Sequence, residues 1–185
     1  MLKINMQDEI LAELGKMVIV FGLIESELSD MITALVTQGG NEAVGHIVAA
    51  ELSFKQRVGI VDSILIFAKE RAESPNVPDE HKQAMAELIA CSDEFSAMRP
   101  RLFQAEELRN RLTHSTWGVP QGDPQSAIRF KTTAKAKRGL HHQSETFSLK
   151  ELQDAIHSIG ETWGELAQFH AKYLMQESEE TEEEE

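Results

Sequence analysis

The sequence predicts an all-α fold: a helical bundle of about four to five helices, with a short β-hairpin inserted before the last helix. Three observations carry this expectation. Apolar residues recur at three-or-four spacing over long stretches near both ends of the chain. Two of the helical stretches open on a capping-box pair. Only the region after His114 switches to alternating apolar and polar residues between glycine and proline turns.

Residues 8–37 read as one long helix, with Leu14, Val18, Phe21, Leu28, Ile32 and Leu35 as its seam and Glu25 as the polar interruption. The glycine pair in "TQGGNE" ends it. A second helix covers Glu42 to Ala50. The third opens at Ser53, three residues before Gln56, and runs to about Ala72. "ESPNVPDE" is a proline-rich loop, and a fourth helical stretch runs from about Asp79 to His114 with a kink expected at Pro100. "STWGVPQGDPQ" reads as a loop, and residues 127–147 read as the hairpin. The last helix is the best marked: Ser148 and Glu151 form a capping box, and Phe147 with Leu152 forms a hydrophobic staple. Leu152, Ile156, Ile159, Trp163, Leu166 and Tyr173 carry its apolar face, with His170 as a polar intruder. Residues 1–176 therefore read as one helical domain, and the acidic segment 177–185, with no apolar residue to bury, reads as a disordered tail.

With 185 residues the chain can bury a core. Its single cysteine, Cys91, excludes an intrachain disulfide and any cysteine-based zinc cluster, which fits a reducing compartment. No apolar run reaches membrane-span length, and "MLKINMQDEI" lacks the order of a signal peptide, so the expectation is a cytoplasmic protein without a membrane partner. The net charge is −13, yet seven glutamates sit in the last nine residues, which leaves −6 on residues 1–176. Residues 99–141 run the other way, with nine Lys or Arg against three acids. Such a zone either holds a polyanion or is an ordinary solvated face.

The stretch "AEELRNRLTHSTWG", residues 105–118, concentrates chemistry at a helix end. On a helical wheel Leu102, Ala105, Leu108 and Leu112 gather on one side and Arg109 sits at its edge. Asn110 and His114 share the opposite face, with Phe103 between them in angle and Ile89 nearby. That face either widens the core or meets a partner, most simply a second copy of the chain. A histidine near neutral pH suits general acid–base catalysis, and the C-terminal end of a helix favours its protonated form. Arginine offers the forked charge that grips a phosphate. Five residues of helix set Arg109 and His114 about 140° apart, so two copies facing across a two-fold would complete one site.

The motif Arg109-Asn110-Arg111-Leu112-Thr113-His114 resembles the signature of the HEPN superfamily, an arginine and a polar residue followed at short spacing by a histidine. The helical layout of residues 1–176 is similar to that family in looser form. The resemblance implies a metal-independent endoribonuclease that works as a homodimer, of toxin, antiviral or abortive-infection type, with no cofactor. It implies that His114 handles the proton of the ribose 2′-hydroxyl or leaving oxygen, that Arg109 holds the scissile phosphate, and that Asn110 orients one of them. The family also contains members that bind nucleotides or partners without cleaving anything, so a non-catalytic binding or scaffold protein stays open. Partners implied are RNA, a second copy through the Phe103/Asn110/His114 face, and an antitoxin or other regulatory protein.

Further candidates surround the motif. Glu25 either pairs at the edge of its seam or acts as an orienter beside Arg109 or His114. Trp117 either stacks on a base or caps the bundle. Arg111, Arg129, Lys131, Lys135, Lys137 and Arg138 are candidate RNA contacts, the last five on the hairpin. The adjacent His141 and His142 point to opposite sides of a strand with no third ligand at hand, so no metal site is expected.

Overall fold

Long helices with two well-marked starts dominate the computed structural model, which describes residues 6–37, 40–74, 78–123, 125–135 and 139–175. In chain order these are α1 (Asp8–Thr37), α2 (Glu42–Ala50), α3 (Phe54–Ala72), a 3-10 turn (Asp79–His81) and α4 (Lys82–Thr113). Three strands follow, β1 (Thr116–Gly118), β2 (Ser126–Lys135) and β3 (Gly139–Ser148), then α5 (Leu149–Tyr173). The chain is thus mainly α, with a small sheet before its last described helix. The proposed tail, residues 177–185, lies outside the described residues.

Both expected capping boxes form. Gln56 Oε1 accepts from the Ser53 N–H at 2.9 Å, which holds the start of α3. At α5, Glu151 Oε2 accepts from the Ser148 N–H at 2.7 Å while the Glu151 N–H donates to Ser148 Oγ at 3.2 Å. The backbone bond from Ser148 holds the Glu151 carboxyl below its usual range. Helix α4 continues through Pro100 without a break in its assignment.

The expected hairpin is the outer part of a three-stranded antiparallel sheet in the order β1-β2-β3. Thr116, Trp117 and Gly118 pair with Phe130, Arg129 and Ile128, so a stretch read as loop supplies the third strand. Strands β2 and β3 pair from Ser126↔Ser148 to Lys135↔Gly139, close to the expected limits. The seam of α1 is also displaced from the expected one. Ile10, Met17, Phe21, Ile24, Leu28, Met31 and Ile32 are buried, whereas Val18 is 56% exposed.

The described chain divides into two compact units. The first joins residues 1–22 to 104–161 and contains the start of α1, the end of α4, the sheet and the start of α5. Its buried apolar residues include Ile10, Met17, Phe21, Ala105, Leu112, Ala127, Phe147, Leu152, Ile156 and Ile159. The second joins residues 23–103 to 162–185. Phe95 and Phe169 pack there with tilted rings, centroids 5.6 Å apart, and Leu28, Val58, Val61 and Leu102 are buried in the same unit. Its buried charges are paired: Asp62 accepts from Arg99 Nη1 at 2.6 Å, and the seam intruder His170 meets Glu27 through Nδ1 at 2.6 Å. Among the described residues, no helix is long and apolar enough to cross a membrane.

Candidate functional site at the end of α4

A helix leaves its last four carbonyls without intrahelical partners, and α4 ends in the motif stretch. Three of these carbonyls are met within the first unit. The His114 N–H bonds the Asn110 carbonyl at 3.3 Å. The Arg111 carbonyl accepts from Ser115 Oγ at 2.8 Å and from Arg129 Nη1 at 2.7 Å. The Leu112 carbonyl accepts from Trp117 Nε1 at 2.9 Å. Two of these four donors, Trp117 and Arg129, come from the sheet.

One face of the sheet is made for this cap. The register places Trp117, Arg129 and Glu145 in a row across the three strands. Arg129 is 5% exposed, an arginine with its guanidinium driven into a helix end. Arg111 forks onto both oxygens of Glu145 and lies over the Phe147 ring at 5.4 Å. Arg129 Nε also approaches Glu145 Oε2 at 3.5 Å, so one carboxylate serves two guanidinium groups. Trp117 packs on Phe147 with centroids 5.7 Å apart. Arg129 and Trp117 thus act as capping groups, and Arg111 is clasped by Glu145. Glu145 had no sequence signal of its own; only the pairing register brings it opposite Arg129.

The three motif residues are ordered differently. Arg109 stands over the buried Phe21 ring, its guanidinium carbon 4.8 Å from the centroid, and its Nη1 donates to Asn110 Oδ1 at 2.9 Å. Both are half-buried. Thr113 Oγ1 donates to the Arg109 carbonyl at 2.7 Å, which tightens the last turn. His114 follows the final helical residue and is exposed. Arginine and asparagine are thus held as a pair one turn before an imidazole open to solvent. Chemically this offers a positioned charge for an anion and a ring free to exchange a proton.

Phe103 is half-buried on α4. Glu25 is half-buried on α1, and its carbonyl accepts from Arg57 Nη1 at 3.1 Å and Ser29 Oγ at 2.8 Å. Lys131 is half-buried on β2, and Lys135 is the last residue of that strand. Lys137 and Arg138 lie outside the described residues. No group of three or more metal-ligating side chains occurs among the described residues. Burial pushes the Cys91 thiol up to about 11, which makes it inert as a nucleophile.

A groove of about 510 Å³ in the second unit is lined by Glu94, Met98, Arg101, Glu165, Gln168 and Lys172. Its cations are already paired, Arg101 with Glu165 and Lys172 with Glu94 at 2.8 Å. Glu94, bonded also by the Tyr173 hydroxyl at 2.9 Å, holds the Lys172 ammonium above its ordinary range. The groove keeps no uncompensated charge for an ionic ligand. Comparisons with protein-family models, curated proteins and solved structures returned no match.

Proposed function

We propose that the protein is a metal-independent endoribonuclease of toxin, antiviral or abortive-infection type. It acts as a homodimer in which Arg109 of one copy and His114 of the other serve one scissile phosphate. The observation that carries this reading is the end of α4: Arg109 and Asn110 bonded to each other at 2.9 Å, one turn before an exposed His114. His114 takes the proton of the 2′-hydroxyl or returns one to the leaving oxygen. Arg109, steadied by Asn110 and Phe21, stabilises the charge that builds on phosphate. Self-association is supported by apolar surface left open on α1, where Val18 is 56% and Ile19 67% exposed. An antitoxin or other regulatory protein would act by covering the same face.

The direct test is incubation of purified protein with total RNA in EDTA. Cleavage by the wild type supports the reading, and intact RNA under all conditions overturns it. The buried Arg129 and the clasped Arg111 leave Lys131, Lys135, Lys137 and Arg138 as the cations that meet the RNA backbone. With about four such contacts, log affinity for single-stranded RNA is expected to fall with log salt at a slope near −3. A flat response measured by anisotropy removes the basic zone from RNA binding.

A second reading is favoured by the engagement of Arg109 with Phe21 and Asn110 inside its own unit. In it the arginine is a packing group, and the protein is a non-catalytic nucleotide- or RNA-binding or dimeric scaffold related to the same family. RNA binding without cleavage separates it from the first.

A further inference from the structure

The chain passes from α4 into β1 across His114 and Ser115 alone. His114 is exposed, so its ring takes its place from the backbone on either side rather than from packing. The helix itself holds that backbone weakly. The His114 N–H meets the Asn110 carbonyl at 3.3 Å, longer than the usual limit of about 3.2 Å for such bonds. A helix end of this kind frays unless side chains close it.

Three side chains close it, all within the first unit. Ser115 Oγ and Arg129 Nη1 donate to the Arg111 carbonyl, and Trp117 Nε1 donates to the Leu112 carbonyl at 2.9 Å. The bonds from Ser115 and Trp117 both span His114, but different structure stands behind them. Ser115 belongs to neither element. Trp117 is anchored twice, by its pairing with Arg129 in the ladder and by its ring against the buried Phe147, with centroids 5.7 Å apart. At the other end of the bond, Leu112 is 1% exposed. An indole donates one bond and accepts none, so this contact fixes a single distance between the sheet and the helix end.

The stretch 112–117 is therefore pinned at both ends by groups seated in the core, with His114 inside it. While the pins hold, the Cα–Cβ bond of His114 has one direction, and the imidazole samples only its staggered rotamers. Without the indole bond that origin is lost. Misplacing a reacting group by about 1 Å costs on the order of 100-fold in rate.

We infer that Trp117 is a positioning residue for His114: its indole N–H, anchored in the sheet, fixes where the imidazole stands. The inference rests on the ribonuclease reading in giving His114 a proton to move, but the tie itself can be measured without cleavage. It gives the small sheet a part in the site with no contact between Trp117 and RNA.

The test compares the full-length wild type with Trp117→Phe, which keeps an aromatic ring against Phe147 and removes the N–H. In amide nitrogen relaxation, the His114 backbone is expected to be rigid in the wild type, with an order parameter of about 0.85, and to fall below about 0.6 in the variant. In RNA cleavage with EDTA, kcat is expected to fall at least about tenfold while KM stays within about twofold. Ile156→Val, which removes one buried methyl group from the same unit, should lower the melting temperature and change neither readout. A His114 amide equally rigid in wild type and Trp117→Phe, or mobile in the wild type, overturns the positioning role. So does an equal loss of kcat in Ile156→Val, which would make the effect one of stability. A raised KM at unchanged kcat also overturns it and assigns Trp117 to stacking on a base. If His114 loosens in Trp117→Phe but the wild type cuts no RNA, the nuclease reading falls and the tie stands. If the wild type cuts and Trp117→Phe cuts as fast, the positioning role falls and the nuclease reading stands.

Discussion

His114→Ala is expected to abolish RNA cleavage in EDTA, lowering the rate by at least about 100-fold while leaving thermal unfolding unchanged. The two halves of this expectation have separate causes. The ring is exposed beyond the last turn of α4, so truncation removes little packing. The contact that helps close the helix is made by the His114 backbone N–H to the Asn110 carbonyl, which alanine keeps. Chemistry and stability are therefore separable at this position. A variant that loses activity only in proportion to a lower melting temperature would contradict the assignment. Chelator should not protect the RNA, because the imidazole and guanidinium, rather than a metal, are proposed to carry the proton and the charge.

Arg129→Met is expected to be the most destabilising change among the basic residues of the sheet. The aliphatic stem is replaced in kind, but the guanidinium that bonds the Arg111 carbonyl at 2.7 Å is lost from a position 5% exposed. A hydrogen bond from a charged group to a buried carbonyl contributes about 2–3 kcal/mol, and its loss leaves an acceptor at the end of α4 without this partner. Glu145 is not orphaned, because Arg111 still holds both its oxygens. For a chain of this size the loss corresponds to a fall in melting temperature of roughly 4–12 °C. Lys131→Met, on the same strand but only half-buried, should shift melting far less. Equal melting temperatures for Arg129→Met and wild type would show that the cap does not depend on this arginine.

Helix starts were the most legible part of the fold because local chemistry decides them. Ser53 with Gln56 and Ser148 with Glu151 need only their own turn of chain to close. The seam of α1 was less legible for a physical reason. Residues 17–24, "MVIVFGLI", are apolar almost all round, so periodicity alone does not choose between Val18 and Met17 or Ile24. The packing partner decides, and it takes Met17 and Ile24. Strand β1 is three residues long and sits among glycines and prolines, too short to show alternation. Alternation along β2 separates Arg129, facing the helix end, from Phe130, facing out, but the inward direction is set only once β1 and α4 are placed. Trp117, which the sequence leaves open between stacking on a base and capping the bundle, bonds the last turn of α4, while Phe130 on the neighbouring strand holds an exposed ring.

The motif itself was legible as a spacing and opaque as a site. Sequence places Arg109, Asn110 and His114 within two turns, and the wheel sets arginine and histidine about 140° apart. The bond between Arg109 and Asn110 and the ring of Phe21 beneath the guanidinium come from tertiary structure. They give the arginine a fixed direction.

A mixed-dimer assay tests the composite site most directly. Arg109→Gln and His114→Ala proteins, each inactive alone, are unfolded together, refolded and assayed on RNA in EDTA. A composite site predicts that random pairing restores about a quarter of wild-type cleavage, since half the dimers are mixed and each carries one intact site. Persistent inactivity of the mixture, with mixed dimers confirmed by mass, would contradict a site shared between two copies.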